Sequence, residues 1–92
     1  MKEATIENDI VQYLTYCGYF SWRTHDAKHR PCTRGMPDVL AVKGGKLYAV
    51  EVKKPGGKTS GVQDDFLSRL RHFGVKAIVA TSLADVQEGA LR

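Results

Sequence analysis

Asp38, Glu51 and Lys53 are the residues whose types and spacing could do chemistry in this chain. They fall in the stretch from Gly35 to Lys53, where two apolar runs, Asp38-Val-Leu-Ala-Val and Leu47-Tyr-Ala-Val-Glu-Val, flank Gly44-Gly45. Such runs around a Gly-Gly pair predict a β-hairpin. With the two glycines as the loop, Lys43 faces Lys46, Leu40 faces Ala49 and Asp38 faces Glu51. Directly opposed residues hold their Cβ atoms roughly 4.5–5.5 Å apart. Lys53 lies two residues beyond Glu51 and shares its face of the sheet. Two carboxylates held this close repel each other unless a positive charge sits between them. A divalent cation with Lys53 beside it is the arrangement that metal-assisted attack on a phosphodiester needs. Charges also alternate on the wet face of many hairpins, so the pattern alone leaves a solvated charge pair open. Two features argue for a site. Asp38 follows a Gly-x-Pro kink, and Val39, Leu40, Val50 and Val52 make the strands apolar on both faces, hence buried on both. Charges in such strands are costly and need compensation.

The rest of the chain must position this hairpin. Residues from about 3 to 17 read as a helix, with Ile6, Ile10, Leu14 and Cys17 at spacings of three and four and Gly18 as its stop. Glu7 sits next to that stripe. As a residue it reads more simply as a surface glutamate near a helix N-terminus than as a third carboxylate of the site. Tyr19 to His25 is aromatic and predicts a strand. The loop from Asp26 to Met36 is polar, basic and long for a small domain. Its Lys28, Arg30 and Arg34 suit phosphate contacts. His25, His29 and Cys32, with Cys17, offer a zinc set, but their spacing matches no zinc knuckle and Cys17 faces the helix core. After the hairpin, Gly57-Lys58-Thr59 imitates the end of a P-loop. The required first glycine falls on Val52, so no nucleotide cofactor is expected. Ser60-Gly-Val-Gln63 is a capping box, which starts a helix near Gly61 with Val62, Phe66, Leu70 and Phe73 as its buried stripe and Gly74 as its end. Val75 to Ala80 predicts a strand parallel to the Glu51 strand, and Ser82 to Asp85 a short capped last helix. The expected architecture is an α/β fold, αβββαβα, a mixed sheet flanked by helices.

The bulk properties set bounds. A chain of 92 residues, 42% of them apolar, makes one small domain spanning 1–92. A net charge of +4 fits a nucleic-acid partner but is not diagnostic of one. The polar N-terminus resembles no signal peptide, and no apolar run approaches membrane length, so no membrane is expected. Two cysteines make no disulfide framework, which fits a reducing, intracellular setting.

The order of these pieces resembles the PD-(D/E)xK nuclease superfamily and, more narrowly, its VRR-NUC (virus-type replication–repair nuclease) family in the minimal stand-alone form. The resemblance rests on Ile6-Glu7, Arg34-Gly-Met-Pro-Asp38, Val50-Glu-Val-Lys53, Lys54-Pro-Gly, and Gln63 followed by Leu70 and Gly74. The stretch from Gly57 to Gly61 departs from it by lacking the usual Pro/acidic lead-in to Gln63. The resemblance implies an endonuclease dependent on Mg²⁺ or Mn²⁺. Asp38 and Glu51 would ligate the metal with the Val52 carbonyl, and Glu7 would hold it directly or through water. Lys53 would orient the attacking water and stabilise developing charge, and Gln63 would position water or Lys53. Apart from the resemblance, the charge of Lys54 and Lys58, like that of the basic loop, suits contacts to phosphates. Stand-alone members resemble Holliday-junction resolvases and are dimeric, so the expectation is a homodimer on branched DNA, cleaving four-way junctions. Tyr13, Tyr16, Tyr19 and Trp22 are candidates for its interface. The alternatives are a nuclease of flap, nicked or single-stranded DNA or of RNA, and a silent binding module of the same fold.

Overall fold

The computed structural model describes residues 2–25 and 33–90. The elements run α1 (Glu3–Tyr16), β1 (Phe20–Arg23), β2 (Val39–Lys43), β3 (Lys46–Val52), α2 (Gly61–His72), β4 (Lys76–Ala80) and α3 (Leu83–Asp85), which runs into a π-helical turn (Val86–Ala90). The strands form one mixed sheet in the order β1-β2-β3-β4, antiparallel except for the parallel β3–β4 pair. The α/β architecture expected from the pattern is the one observed.

The hairpin forms in the register that its glycines dictate. Gly44 and Gly45 have φ of 59° and 75°. This pair of positive values matches a type I′ turn, whose twist suits the flanking strands. Lys43 pairs with Lys46, Leu40 with Ala49, and the ladder runs to Val39 opposite Val50. One further step brings Asp38 to Glu51.

Alternate residues of β3 point to opposite faces, and each face receives a helix. Val50 and Val52 join Val39, Ala41, Ile6, Ile10 and Leu14 beneath α1, whereas Ala49 joins Ala77 and Leu67 beneath α2. Both helices stop in the same way. The Tyr19 N–H donates to the Leu14 carbonyl at 2.9 Å and the Gly18 N–H to Thr15 at 3.1 Å, with Gly18 left-handed. At the end of α2, the Val75 N–H reaches Leu70 and the Gly74 N–H reaches Arg71, both at 3.0 Å. These are Schellman turns, which need a residue comfortable at positive φ.

Three expectations are corrected. The buried stripe of α2 is not Val62-Phe66-Leu70-Phe73. Val62 and Phe73 are exposed, Phe73 to 82%, while Leu67 is the buried residue, with Leu70 half-buried beside it. The stripe is rotated because α2 lies on the small residues Ala49 and Ala77, which admit Leu67. Ser82 makes no side-chain cap at α3. Instead Asp85 reaches back, and its Oδ2 accepts from the Thr81 N–H at 2.8 Å and the Thr81 hydroxyl at 3.2 Å. The first strand is shorter than Tyr19 to His25, because Tyr19 closes the α1 turn. Among the described residues no helix is long and apolar enough to cross a membrane.

Candidate active site

The site forms at the end of the sheet where β3 finishes and β2 begins. Glu51 is the penultimate residue of β3 and points to the α2 face, as its parity with Ala49 requires. Asp38 enters just before β2. Gly35 explains how the preceding loop reaches this place. At φ +82° it lies so close to the first turn of α2 that a Cβ there would stand 2.6 Å from the Val62 carbonyl oxygen. The end of β1 is tied to the same loop. The Thr24 N–H donates to the Asp38 carbonyl at 2.9 Å, and the Thr24 hydroxyl to the Pro37 carbonyl at 2.7 Å. His25 is thereby set beside Asp38.

Asp38 is held at both oxygens. Its Oδ2 accepts from the Val52 N–H at 2.8 Å, and its Oδ1 stands 2.8 Å from His25 Nε2. Glu51 is 1% exposed. Its Oε2 accepts from Gln63 Nε2 at 3.2 Å and lies 3.6 Å from Lys53 Nζ, whereas its Oε1 is buried with no hydrogen-bond partner. Gln63 spans two tasks. Its Oε1 accepts from the Ser60 N–H in the capping box, which leaves its NH₂ to face the carboxyl. Glu7 is buried at 3% exposure and is held by Arg23, whose Nε donates to Glu7 Oε1 at 2.9 Å.

Electrostatics follow from this crowding. Burial, then the Asp38 carboxylate against it, push the Glu51 carboxyl up to about 9, against the pull of Lys53. Burial and Asp38 also raise Glu7, with Arg23 opposing. A proton on Glu51 is one way to settle the repulsion between the two acids; a cation is the other. The orphaned Oε1 and the oxygen-rich donor set fit a hard divalent cation. A second grouping lies alongside, where ligand atoms of Glu7, His25 and Asp38 all fall within 4.8 Å of one another.

A raised carboxyl pKa has a definite stability signature. The folded state holds the Glu51 proton more tightly than the unfolded chain does, so the stability it contributes is complete below about 4.5. That stability is lost as pH rises towards 9. Glu7 acts in the same direction. In chelator-treated protein the thermal midpoint is therefore expected to fall between pH 6 and pH 9, and Glu51→Gln to flatten that fall. Equal slopes for the two proteins in thermal melts across this range would show that Glu51 is not held protonated.

The fold brings together Glu7, Asp38, Glu51, Lys53 and Gln63, and the Val52 main chain lies against Asp38 through its N–H. Glu7 is not the surface residue its type suggests. Arg34, Lys54 and Lys58 are exposed. Lys28 and Arg30 lie outside the described residues, as do His29 and Cys32 of the zinc set. Cys17 is a free, half-buried thiol. Sequence reasoning overlooked Arg23 and His25 as partners of Glu7 and Asp38. The signal was available: Ser21, Arg23 and His25 are polar at every second position, and Phe20 and Trp22 are the aromatic residues between the first of them. On that face Ser21 donates to the Val11 carbonyl of α1 at 3.1 Å and Arg23 meets Glu7.

A mixed sheet that sets an aspartate from one hairpin strand against a Glu-x-Lys on the other is the architecture of PD-(D/E)xK nucleases. Family comparison narrows it, since the model of the VRR-NUC domain matches residues 2–84. The chain belongs to the VRR-NUC nuclease family. Among solved structures it is similar to a VRR-NUC domain, with a TM-score of 0.74, 24% identity, and coverage of 94% of this chain and 90% of that one. It is also similar to Hjc of Archaeoglobus fulgidus, a Holliday junction resolvase, with a TM-score of 0.62 and 28% identity over 84% of this chain and 65% of that one. Comparison with curated proteins gives no match.

Proposed function

We propose that this protein is a divalent-cation-dependent endonuclease that acts on branched DNA, four-way junctions in particular, as a homodimer. The observation that carries the cation dependence is the buried Glu51 carboxyl. It lies against Asp38 with one oxygen unpartnered, and Lys53 stands beside it. Asp38, Glu51, the Val52 carbonyl and Glu7 would hold Mg²⁺ or Mn²⁺. Such an ion supplies Lewis acidity and a water of lowered pKa.

The chain's own groups do the rest. The Val52 N–H and His25 fix both oxygens of Asp38, so its carboxylate cannot rotate away. Gln63 holds Glu51 from the first turn of α2 while its own amide is anchored by the helix cap. Lys53 brings an ammonium to the edge of the pair, where it orients a water and opposes negative charge as the phosphorane-like state forms. Arg34, Lys54 and Lys58 are exposed and suit backbone phosphates, which position a duplex without reading its bases.

The likeness to a junction resolvase supports a branched substrate, and an uncovered apolar surface supports the dimer. Phe20 pairs with Val42 across β1 and β2, and Trp22 with Leu40, so these side chains share the α2 face of the sheet. Phe20 is 73% exposed and stacks on Trp22 at 5.1 Å. Of the aromatic residues proposed from sequence for the interface, Tyr13 and Tyr19 pack on the core instead, and Tyr16 is exposed. A dimer presents two sites to diverging strands, and engaging both at once raises apparent affinity.

The test is a panel of labelled four-way junction, flap, nicked duplex, single strand and RNA, each with Mg²⁺, Mn²⁺ or chelator, with light scattering for the mass. We expect cation-dependent nicking of the junction, and junction outcompeting linear duplex per nucleotide at two salt concentrations. Cleavage that survives the chelator rejects the cation dependence. Equal competition by linear duplex rejects the branched substrate, and a monomer mass with and without DNA rejects the dimer.

A further inference from the structure

His25 has no part in the site as read from the sequence, yet it stands inside it. Its Nε2 is 2.8 Å from Asp38 Oδ1, and the two belong to the trio with Glu7 whose ligand atoms lie within 4.8 Å of one another. Neighbouring ligand atoms of an octahedral ion with bonds of about 2.1 Å stand roughly 3.0 Å apart, and opposite ones roughly 4.2 Å. The His25–Asp38 pair already stands near the first of these spacings, and the Glu7 carboxylate lies within 4.8 Å of both. The Glu51 carboxyl, 1% exposed with Oε1 unpartnered, lies against the same Asp38. The polar demand of this region thus exceeds what its own hydrogen bonds meet.

We propose that His25 is a cation ligand, completing with Glu7 and Asp38 a mixed imidazole–carboxylate subsite that favours a first-row transition ion over Mg²⁺. The proposal rests on the cation-dependent reading above and adds to it a nitrogen donor and a metal preference. Mg²⁺ takes oxygen ligands and gives up water reluctantly. An imidazole nitrogen gains little from it and more from a softer ion, so one histidine in a carboxylate set tilts the choice. The backbone that carries the ring is placed by the fold. Thr24, its neighbour, is pinned to Pro37 and Asp38, and Arg23 on the same face of β1 holds Glu7.

The experiment uses the whole protein with Mn²⁺ as the probe and Mg²⁺ as the competitor, and its readout is binding rather than cleavage. Calorimetry gives the two affinities, and pulsed electron paramagnetic resonance of bound Mn²⁺ reports any directly coordinated nitrogen. In the wild-type protein we expect nitrogen hyperfine coupling. In His25→Ala it should vanish and the ratio of Mn²⁺ to Mg²⁺ affinity should fall about tenfold or more, the scale on which single groups in and around a metal site act. His25→Asn restores an N–H donor to Asp38 without an imidazole, so it should not recover the preference. Absence of nitrogen coupling from bound Mn²⁺ in the wild-type protein overturns the proposal without recourse to any variant. So does an unchanged affinity ratio in a folded His25→Ala, and so does full recovery by His25→Asn, which would make His25 only a positioning residue for Asp38. Failure of the wild-type protein to bind either ion is a different result, and it overturns the cation-dependent reading itself.

Discussion

Asp38→Asn is expected to stop cleavage while leaving the fold and DNA binding in place, and Glu51→Gln to do the same by a different balance of forces. In Asp38→Asn the amide oxygen can still accept from the Val52 N–H, and the NH₂ can face His25, so the end of the hairpin keeps its hydrogen bonds. What disappears is the charge. A ligand carboxylate contributes several kcal/mol of stabilisation to a charged transition state through the ion it holds, which corresponds to a loss on the order of 10³ in rate or more. In Glu51→Gln the shape is kept and Gln63 still finds an acceptor, while the buried repulsion with Asp38 is gone. At pH 8 the metal-free wild-type protein must take up a proton to keep Glu51 neutral, a cost that the glutamine avoids. The metal-free variant should therefore melt at or above the wild-type temperature at pH 8 although it no longer cuts. Single-turnover cleavage, filter binding and thermal melts check the set. Full activity of either variant in a folded state overturns the assignment of the carboxylate pair. A Glu51→Gln protein that melts well below wild type at pH 8 would show that the glutamate is structural.

Much of this arrangement was legible from the chain, and the parts that were not share a cause. The hairpin register followed from the twofold period of strands and from two glycines suited to a two-residue hairpin loop. It placed Asp38 and Glu51 opposite each other. The helices were harder, because a hydrophobic stripe is sought among hydrophobic residues. Glu7 stands three residues before Ile10 and seven before Leu14, and so lies on the buried stripe of α1. Gln63 stands four before Leu67 and seven before Leu70, on the buried side of α2. Each is the polar residue at the end of a stripe that runs into the site. In α2 the exposed Val62 and Phe73 also pulled the expected stripe round by one position. Arg23 and His25 were hidden for a related reason. The strand reads as aromatic, and its polar alternate residues acquire meaning only once β1 is paired to β2 and α1 laid across them. The basic residues gave the least, since three exposed cations say that phosphates are welcome but not along which path.

Lys53→Ala is expected to lower turnover at saturating substrate by on the order of 10²–10³, the usual cost of losing one well-placed group that opposes transition-state charge, while changing the affinity for DNA only a few-fold. The argument starts from location. Lys53 follows β3 directly, and its own N–H donates to the Ala80 carbonyl at 2.9 Å, so the main chain beneath it is anchored to β4. Its side chain is only 15% exposed and turns towards Glu51, with Nζ 3.6 Å from Oε2. A lysine serving chiefly to gather a duplex would point into solvent, as the exposed Lys54 and Lys58 can. Lys54→Ala and Lys58→Ala should accordingly show the opposite profile: weaker, more salt-sensitive binding with turnover at saturation unchanged. Each phosphate contact removed should lower the slope of log affinity against log salt by roughly 0.9. Lys53→Arg restores the charge but spreads it over a planar fork, which cannot place a compact ammonium against Glu51. It should recover binding fully and turnover only in part. Measuring kcat and Kd at two salt concentrations for the four variants separates the roles. If Lys53→Ala binds more weakly in a salt-dependent way and turns over at the wild-type rate once saturated, Lys53 is one more phosphate contact, and the chemistry of the Glu-x-Lys strand rests on the glutamate alone.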